Sequence, residues 1–317
     1  MTEQDLAVPA SRRTRLLRRL VVLVLVAGLG YALATQLGGV RKHLGDLSVP
    51  NVVGAQLALV CGLVTGFLAW RALLADLGSP LHARVGARIF YVGQLGKYLP
   101  GSVWPVVTQM QLGQQAQVPR RRSAAAALVA LLLSVLAGLL VAAACAPALW
   151  SHVGTPTATL GLVVLVLGLV ACHPAVLNRL LALGMRLLRQ PPLEHPLSGR
   201  GIATAVGLSA LTWLFNGLQA WLLVVDVGGS SVRSIPYAVG GFALAAASGP
   251  LLVVLPAGAG VREAGLVVAL SPVLSTAAAT TVALVSRLLF TLADAGAAGV
   301  AALTARRAQS RRPVELA

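Results

Sequence analysis

The chain has 317 residues, of which 57% are hydrophobic and 11% charged, with a mean hydropathy of +0.83 and a net charge of +16. A soluble domain of this size could not hide so much apolar surface, so the composition is that of an integral membrane protein. The positive charge sits in clusters beside apolar runs rather than on a soluble basic face, which argues against nucleic-acid binding.

Residues 1–19 form a basic N-terminal segment containing Arg12, Arg13, Arg15, Arg18 and Arg19. Arginines, an apolar run from Leu20 and the small residues Ala32-Leu33-Ala34 also resemble a cleavable signal. The length of the run and the many spans after it favour an uncleaved first helix. With about 20 apolar residues needed per crossing, helices are predicted over 20–38, 52–74, 123–149, 201–225, 235–255 and 278–303, with a shorter one over 158–172. Trp150 is placed like an interfacial anchor. The stretch 173–200, with Arg179, Arg186, Arg189, Arg200 and Glu194, reads as a cytoplasmic, partly amphipathic linker between halves at about 20–172 and 201–304. A basic tail, 305–317, closes the chain. Cys61, Cys145 and Cys172 lie in apolar runs without metal-ligand spacing and read as packing residues.

Two segments break this pattern. The first is Gly96-Lys97-Tyr98-Leu99-Pro100-Gly101, followed by Ser102-Val103-Trp104; the second is Leu255-Pro256-Ala257-Gly258-Ala259-Gly260-Val261-Arg262-Glu263-Ala264. Unwound backbone is costly in lipid because freed N–H and C=O groups find no water. Breaks at matching places in two halves point to a transport site near the bilayer midplane and suggest two pseudo-repeats. A helix starting near Ser102 would aim its free N–H groups at the loop beside the Lys97 ammonium, an arrangement that suits phosphate. An ordinary loop before a helix fits that stretch equally well. Neither glycine pattern is a nucleotide fingerprint.

Arg262 and Glu263 are adjacent on a helix and should not pair with each other, so each needs its own partner. Arg287 and Asp294, seven residues apart on the last helix, share one face. The expected pairing is Glu263 with Arg287, leaving Arg262 to face an anionic headgroup; the other possibility is that these charges only fasten helices together. Arg71 is expected to snorkel to an interface, Asn216 and Gln219 to act as interhelical glue, and Asp226, at a helix end, to be solvated. The histidines lie outside the spans, and no zinc spacing, nucleophile elbow or pair of acid–base carboxylates is present. No catalytic residue, metal, cofactor or ATP motif is predicted.

Trp70-Arg71-Ala72-Leu73-Leu74, the two broken motifs and Arg287 together resemble the lysylphosphatidylglycerol synthase transmembrane (flippase-like domain) family, over about residues 15–305. The resemblance implies an all-α polytopic protein of the bacterial cytoplasmic membrane, with about eight transmembrane helices and two broken or re-entrant segments. Multidomain members join this region to a cytosolic aminoacyl-tRNA-dependent transferase; here the chain ends soon after Leu303, so the transferase and its synthesis reaction are not expected. The function implied is translocation of a phosphate-bearing or aminoacylated membrane phospholipid, without enzymatic activity. The alternative is a non-transporting membrane partner that scaffolds a lipid-modifying or glycosyltransferase enzyme, and a homo-oligomer is also open. The candidate substrate-binding residues are Lys97, Tyr98, Pro100, Gly101, Ser102, Gly258, Gly260, Arg262, Glu263, Arg287 and Asp294.

The arginine clusters at both ends, at 120–122 and in the linker all favour the cytoplasmic side. Seven spans cannot return the chain to the side on which it began, so a broken segment must enter the bilayer. Reporter fusions at the two termini should therefore both read cytoplasmic, and termini on opposite sides would remove the argument.

Overall fold

The computed structural model describes residues 40–98, 103–146, 155–187, 189–229, 232–247 and 260–310, and among them every regular element is helical. In chain order the helices are α1 (Val49–Asp76), α2 (Ala83–Gln94), α3 (Trp104–Gln115), α4 (Arg120–Ala144), α5 (Thr155–Ala171), α6 (Pro174–Leu187), α7 (Gly199–Asp226), α8 (Ile235–Ala247), α9 (Val261–Leu270) and α10 (Thr276–Ser310); a short 3-10 turn, Leu95–Tyr98, extends α2. Four of them, α1, α4, α7 and α10, are long and apolar enough to cross a membrane. The expected first span, 20–38, and Trp150 lie outside the described residues.

Of the span expected over 235–255, the described part is the helix Ile235–Ala247, and 248–255 lie outside the described residues. The linker 173–200 contains a true helix, α6, which buries Leu177 and Met185 and exposes Leu180, Leu183 and Leu187 beside Arg179 and Arg186.

The centre of the bundle is the antiparallel pair α1 and α7, each of 28 residues. Ser48 caps the start of α1, and its N–H and hydroxyl also reach Asp226 at the end of α7, at 2.8 and 3.0 Å. At the other end Ser198 caps α7, and its N–H and hydroxyl reach Asp76 at the end of α1, at 2.7 and 2.8 Å. A carboxylate is unfavourable at the C-terminus of its own helix but favourable at the N-terminus of its neighbour, where N–H groups are free. This corrects the expectation that Asp226 is simply solvated. Along the seam, Gly62 admits Asn216, Thr65 hydrogen-bonds Thr212 at 2.8 Å, and the fully buried Gln219 accepts from Ser286 of α10 at 3.0 Å. The last bond is the interhelical glue expected of Gln219.

The order long, short, short, long occurs twice: α1, α2, α3, α4 and then α7, α8, α9, α10. The packings match under that correspondence. Helix α2 packs on α10 as α8 packs on α4, α3 on α4 as α9 on α10, and α1 on α10 as α7 on α4. Helices α2 and α3 form a hairpin rooted at the Asp76 end of the bundle, since the chain leaves α1 there and α4 begins there. Arg122 of α4 donates to the Gly78 carbonyl at 2.7 Å, and Arg121 and Arg122 both pair with Glu194. Helices α8 and α9 form the corresponding hairpin from the Asp226 end.

The first hairpin closes at Gly96, where a Cβ would stand 2.8 Å from the backbone of both Trp104 and Pro105. Its root packs on α1 through Phe67, Trp70, Phe90 and Tyr91, with Trp70 and Phe90 rings 5.6 Å apart. Arg71, expected to snorkel, donates instead from Nε to the Leu81 carbonyl at 3.0 Å and so holds the α1–α2 turn.

Loss of an N-cap hydroxyl costs about 0.5–2 kcal/mol, and here each serine also serves the neighbouring helix. Ser48→Ala and Ser198→Ala should each lower the unfolding midpoint in detergent, and the double variant should lose about the sum, because the caps lie at opposite ends of the pair. A midpoint unmoved by either change would show that the reciprocal caps carry no stability.

Candidate functional site

The described ends of the two hairpins, at Lys97 and Tyr98 and at Arg262 and Glu263, meet α10 beside its charged face. Arg287 and Asp294 lie about 16 and 27 Å along the helix from Thr276, taking 1.5 Å per residue, so both fall in its middle. From the first hairpin, Lys97 Nζ lies 2.6 Å from Asp294 Oδ2, and the Tyr98 hydroxyl donates to the same oxygen at 2.6 Å. Thr291, one turn from Asp294, lies within hydrogen-bonding reach of Tyr98. Lys97 also sits 5.5 Å from the Tyr98 ring centroid. The acid is 3% exposed and the lysine 31%.

From the second hairpin, Glu263 accepts from Arg287 Nη1 at 2.7 Å through one oxygen. Its other oxygen accepts from the Gly260 N–H at 2.7 Å. That second bond closes the first turn of α9 and explains the residue chosen there: Gly260 has φ +87°, a left-handed conformation that a side chain would strain. The Glu263–Arg287 pair is the one the sequence led us to expect. Arg262 departs from expectation, since its Nε lies 3.8 Å from Glu263 Oε1 although the two residues are adjacent. The contact is long, and the same oxygen is already engaged by Arg287. The Arg262 guanidinium lies 4.6 Å from the Phe290 ring centroid and 5.7 Å from that of Phe242, two rings stacked at an interplanar angle of 10°.

The structure therefore brings together Lys97, Tyr98, Arg262, Glu263, Arg287 and Asp294, with Gly260 as the backbone hinge beneath Glu263. Pro100, Gly101, Ser102 and Gly258 lie outside the described residues, so the expected helix start at Ser102 does too; α3 begins at Trp104. Phe242, Phe290 and Thr291 were missed from sequence, because an aromatic or threonine in an apolar helix carries no signal until a charge is placed beside it. No group of three or more metal-ligating side chains occurs among the described residues.

Burial is unequal across the cluster. The two carboxylates are 3% and 8% exposed, whereas Lys97, Arg287 and Arg262 are 31%, 26% and 17% exposed. The acids form the floor and the cations the accessible rim. An unpaired charge at the centre of a bilayer costs about 2.5–3.5 kcal/mol on insertion scales, so both buried acids require the partners they have.

The family model for the lysylphosphatidylglycerol synthase TM region matches residues 17–295. The chain belongs to that family. The match spans both hairpins and all six clustered side chains, so the charged site falls within the region that defines the family. No curated protein matches the chain.

Breaking a buried ion pair from one side costs about 3–5 kcal/mol. Arg287→Glu and Glu263→Arg should each reduce folded yield strongly, and the double reversal should recover more than either single change. Recovery will be incomplete, because arginine at 263 cannot accept the Gly260 N–H. No recovery at all would show that the pair is not an independent interaction.

Proposed function

We propose that the chain is a bacterial membrane lipid translocase whose site is the charged cluster between the two hairpin tips. Family membership supports a membrane protein related to lipid modification or flipping. The observation that carries the finer reading is the layered cluster, a cationic rim over buried carboxylates, reached from opposite ends of the bundle by two hairpins. A rim of that kind fits a phosphate through charge-assisted hydrogen bonds while the acyl chains stay in the bilayer.

In this reading the α2–α3 and α8–α9 hairpins are re-entrant, one from each side, within two repeats of opposite orientation. The full crossings are then 20–38, α1, α4, α5, α7 and α10, an even number that leaves both termini cytoplasmic. With 235–255 taken as one arm of the second hairpin, parity demands no crossing through a broken segment. The Asp76 end, rich in arginine at 84, 120, 179, 186 and 200, is the cytoplasmic one by the positive-inside rule, and α6 lies there as an interfacial helix. With no nucleotide motif in the sequence, movement would be downhill or driven by an ion gradient, and no enzymatic step is assigned.

A second reading, a non-transporting membrane scaffold for a separate lipid-modifying enzyme, is favoured by one observation: Lys97, Tyr98 and Asp294 are joined directly, with no headgroup-sized space between them. The cleft of about 330 Å³ lined by Ala72, Asp76, Ser198, Arg200 and Thr204 lies at the Asp76 end, away from the charges.

Headgroup translocation in proteoliposomes separates the two. The wild type should exceed empty vesicles for at least one phospholipid. Lys97→Ala and Arg262→Ala should each lower the rate by about tenfold or more, since a hydrogen bond to a charged group is worth about 1.5–3 kcal/mol. Wild-type rates equal to those of empty vesicles across a lipid panel would defeat the translocase reading and leave the scaffold.

A further inference from the structure

The charges of the cluster can be counted among the described residues, and the sequences 99–102 and 248–259 that adjoin it in the chain contain none. Of the nine acidic residues in the chain, Glu3, Asp5 and Glu315 lie in the terminal segments. Asp46 and Asp226 lie at one end of the bundle, Asp76 and Glu194 at the other. Only Glu263 and Asp294 remain in the middle. The cations that face them are Lys97, Arg262 and Arg287; Arg71 is held at the Asp76 end by the Leu81 carbonyl, and Arg84 and Arg88 lie in the first half of α2, which starts at that end. Three cations face two carboxylates, so the empty site carries a net charge of +1.

The surplus can be assigned. Lys97 is paired with Asp294 at 2.6 Å and Arg287 with Glu263 at 2.7 Å, so that among the described residues the one carboxylate near Arg262 is 3.8 Å away and already engaged. The Arg262 Cζ lies over the Phe290 and Phe242 rings, and a cation–π contact uses no N–H donor, so its N–H edge is kept for another ligand. That edge matches two oxygens of a phosphate. An uncompensated charge at this depth is costly, so the ligand that completes the site best brings it to neutrality.

We infer that the site takes a phosphodiester headgroup of net charge −1, and disfavours zwitterionic and aminoacylated headgroups. This rests on the translocase reading and narrows it. One phosphodiester monoanion neutralises the cluster without breaking either ion pair. A zwitterion leaves the surplus in place and brings an ammonium beside Arg262. An aminoacyl ester adds at least one further ammonium, which the two engaged carboxylates cannot receive unless Lys97 or Arg287 is displaced. A phosphomonoester, with a charge of about −1.5 to −2 at neutral pH, overshoots. The site is thus matched to an unmodified acidic phospholipid rather than to the aminoacylated lipid in the family's name.

The test uses the purified full chain in phosphatidylcholine vesicles holding, one at a time, tail-labelled phosphatidylglycerol, phosphatidylethanolamine, phosphatidic acid or lysyl-phosphatidylglycerol. Phosphatidylglycerol should move about tenfold faster than phosphatidylethanolamine and lysyl-phosphatidylglycerol, which corresponds to about 1.4 kcal/mol. Arg262→Gln, which brings the site to net zero, should pull the phosphatidylglycerol-to-phosphatidylethanolamine ratio toward one. Asp294→Asn, which raises the net charge to +2, should shift preference toward phosphatidic acid. Wild-type movement of phosphatidylethanolamine or lysyl-phosphatidylglycerol as fast as phosphatidylglycerol would overturn the inference and spare the translocase; no lipid moving faster than in empty vesicles would overturn both. Luminal uptake of free glycerophosphoglycerol with no lipid movement would assign the same chemistry to a soluble anion and overturn the headgroup assignment. The wild-type panel decides the matter without either variant.

Discussion

Asp294 is the contact on which the arrangement of the site depends. It is a buried carboxylate in the middle of a long apolar helix, and both its partners, Lys97 and Tyr98, come from a hairpin almost two hundred positions earlier in the chain. Removing Lys97 leaves the acid's charge uncompensated in an environment that does not tolerate one, and removing Tyr98 takes away its second donor. The acid therefore fixes where the first hairpin ends and which way its tip faces. Glu263 does the same for the second hairpin, with one oxygen on Arg287 and the other on the backbone of its own first turn. Two carboxylates thus place two tips against one helix.

The interplay of polar and apolar demands explains the remaining choices. Backbone that leaves helical geometry at depth must be satisfied by something nearby, and glycine permits the close approaches involved. Gly96 lets the two arms of the first hairpin touch backbone to backbone, and Gly260 supplies the left-handed turn that α9 grows from. The aromatic root of Phe67, Trp70 and Phe90 then packs the first hairpin on α1, beside the Arg71 bond to the Leu81 carbonyl and the Tyr91 hydroxyl donating to the Leu63 carbonyl at 3.3 Å.

Much of this was legible in the sequence. The long apolar helices fell where hydropathy puts them, the two motifs stood out as breaks, and Glu263–Arg287 could be paired because a lone charge in lipid must find a partner. What could not be read was which unlike charges meet. Asp294 and Lys97 share no spacing rule, and the adjacency of Arg262 and Glu263 argued against a contact that a long flexible side chain nevertheless makes at 3.8 Å. Asp226 looked solvated because its cap partner, Ser48, begins a helix in the other half of the chain. The Asp294–Lys97 and Asp226–Ser48 contacts join the two halves of the chain, where local periodicity carries no information.

The reciprocal serine–aspartate caps have a mechanical meaning. Because α1 and α7 are the same length and each is tied to the other at both ends, neither can slide past the other without breaking a tie at each end. The pair behaves as a fixed spar, and register shift is not an available motion for it. Whatever opening the molecule undergoes must be taken up around that spar by tilting of the short hairpins.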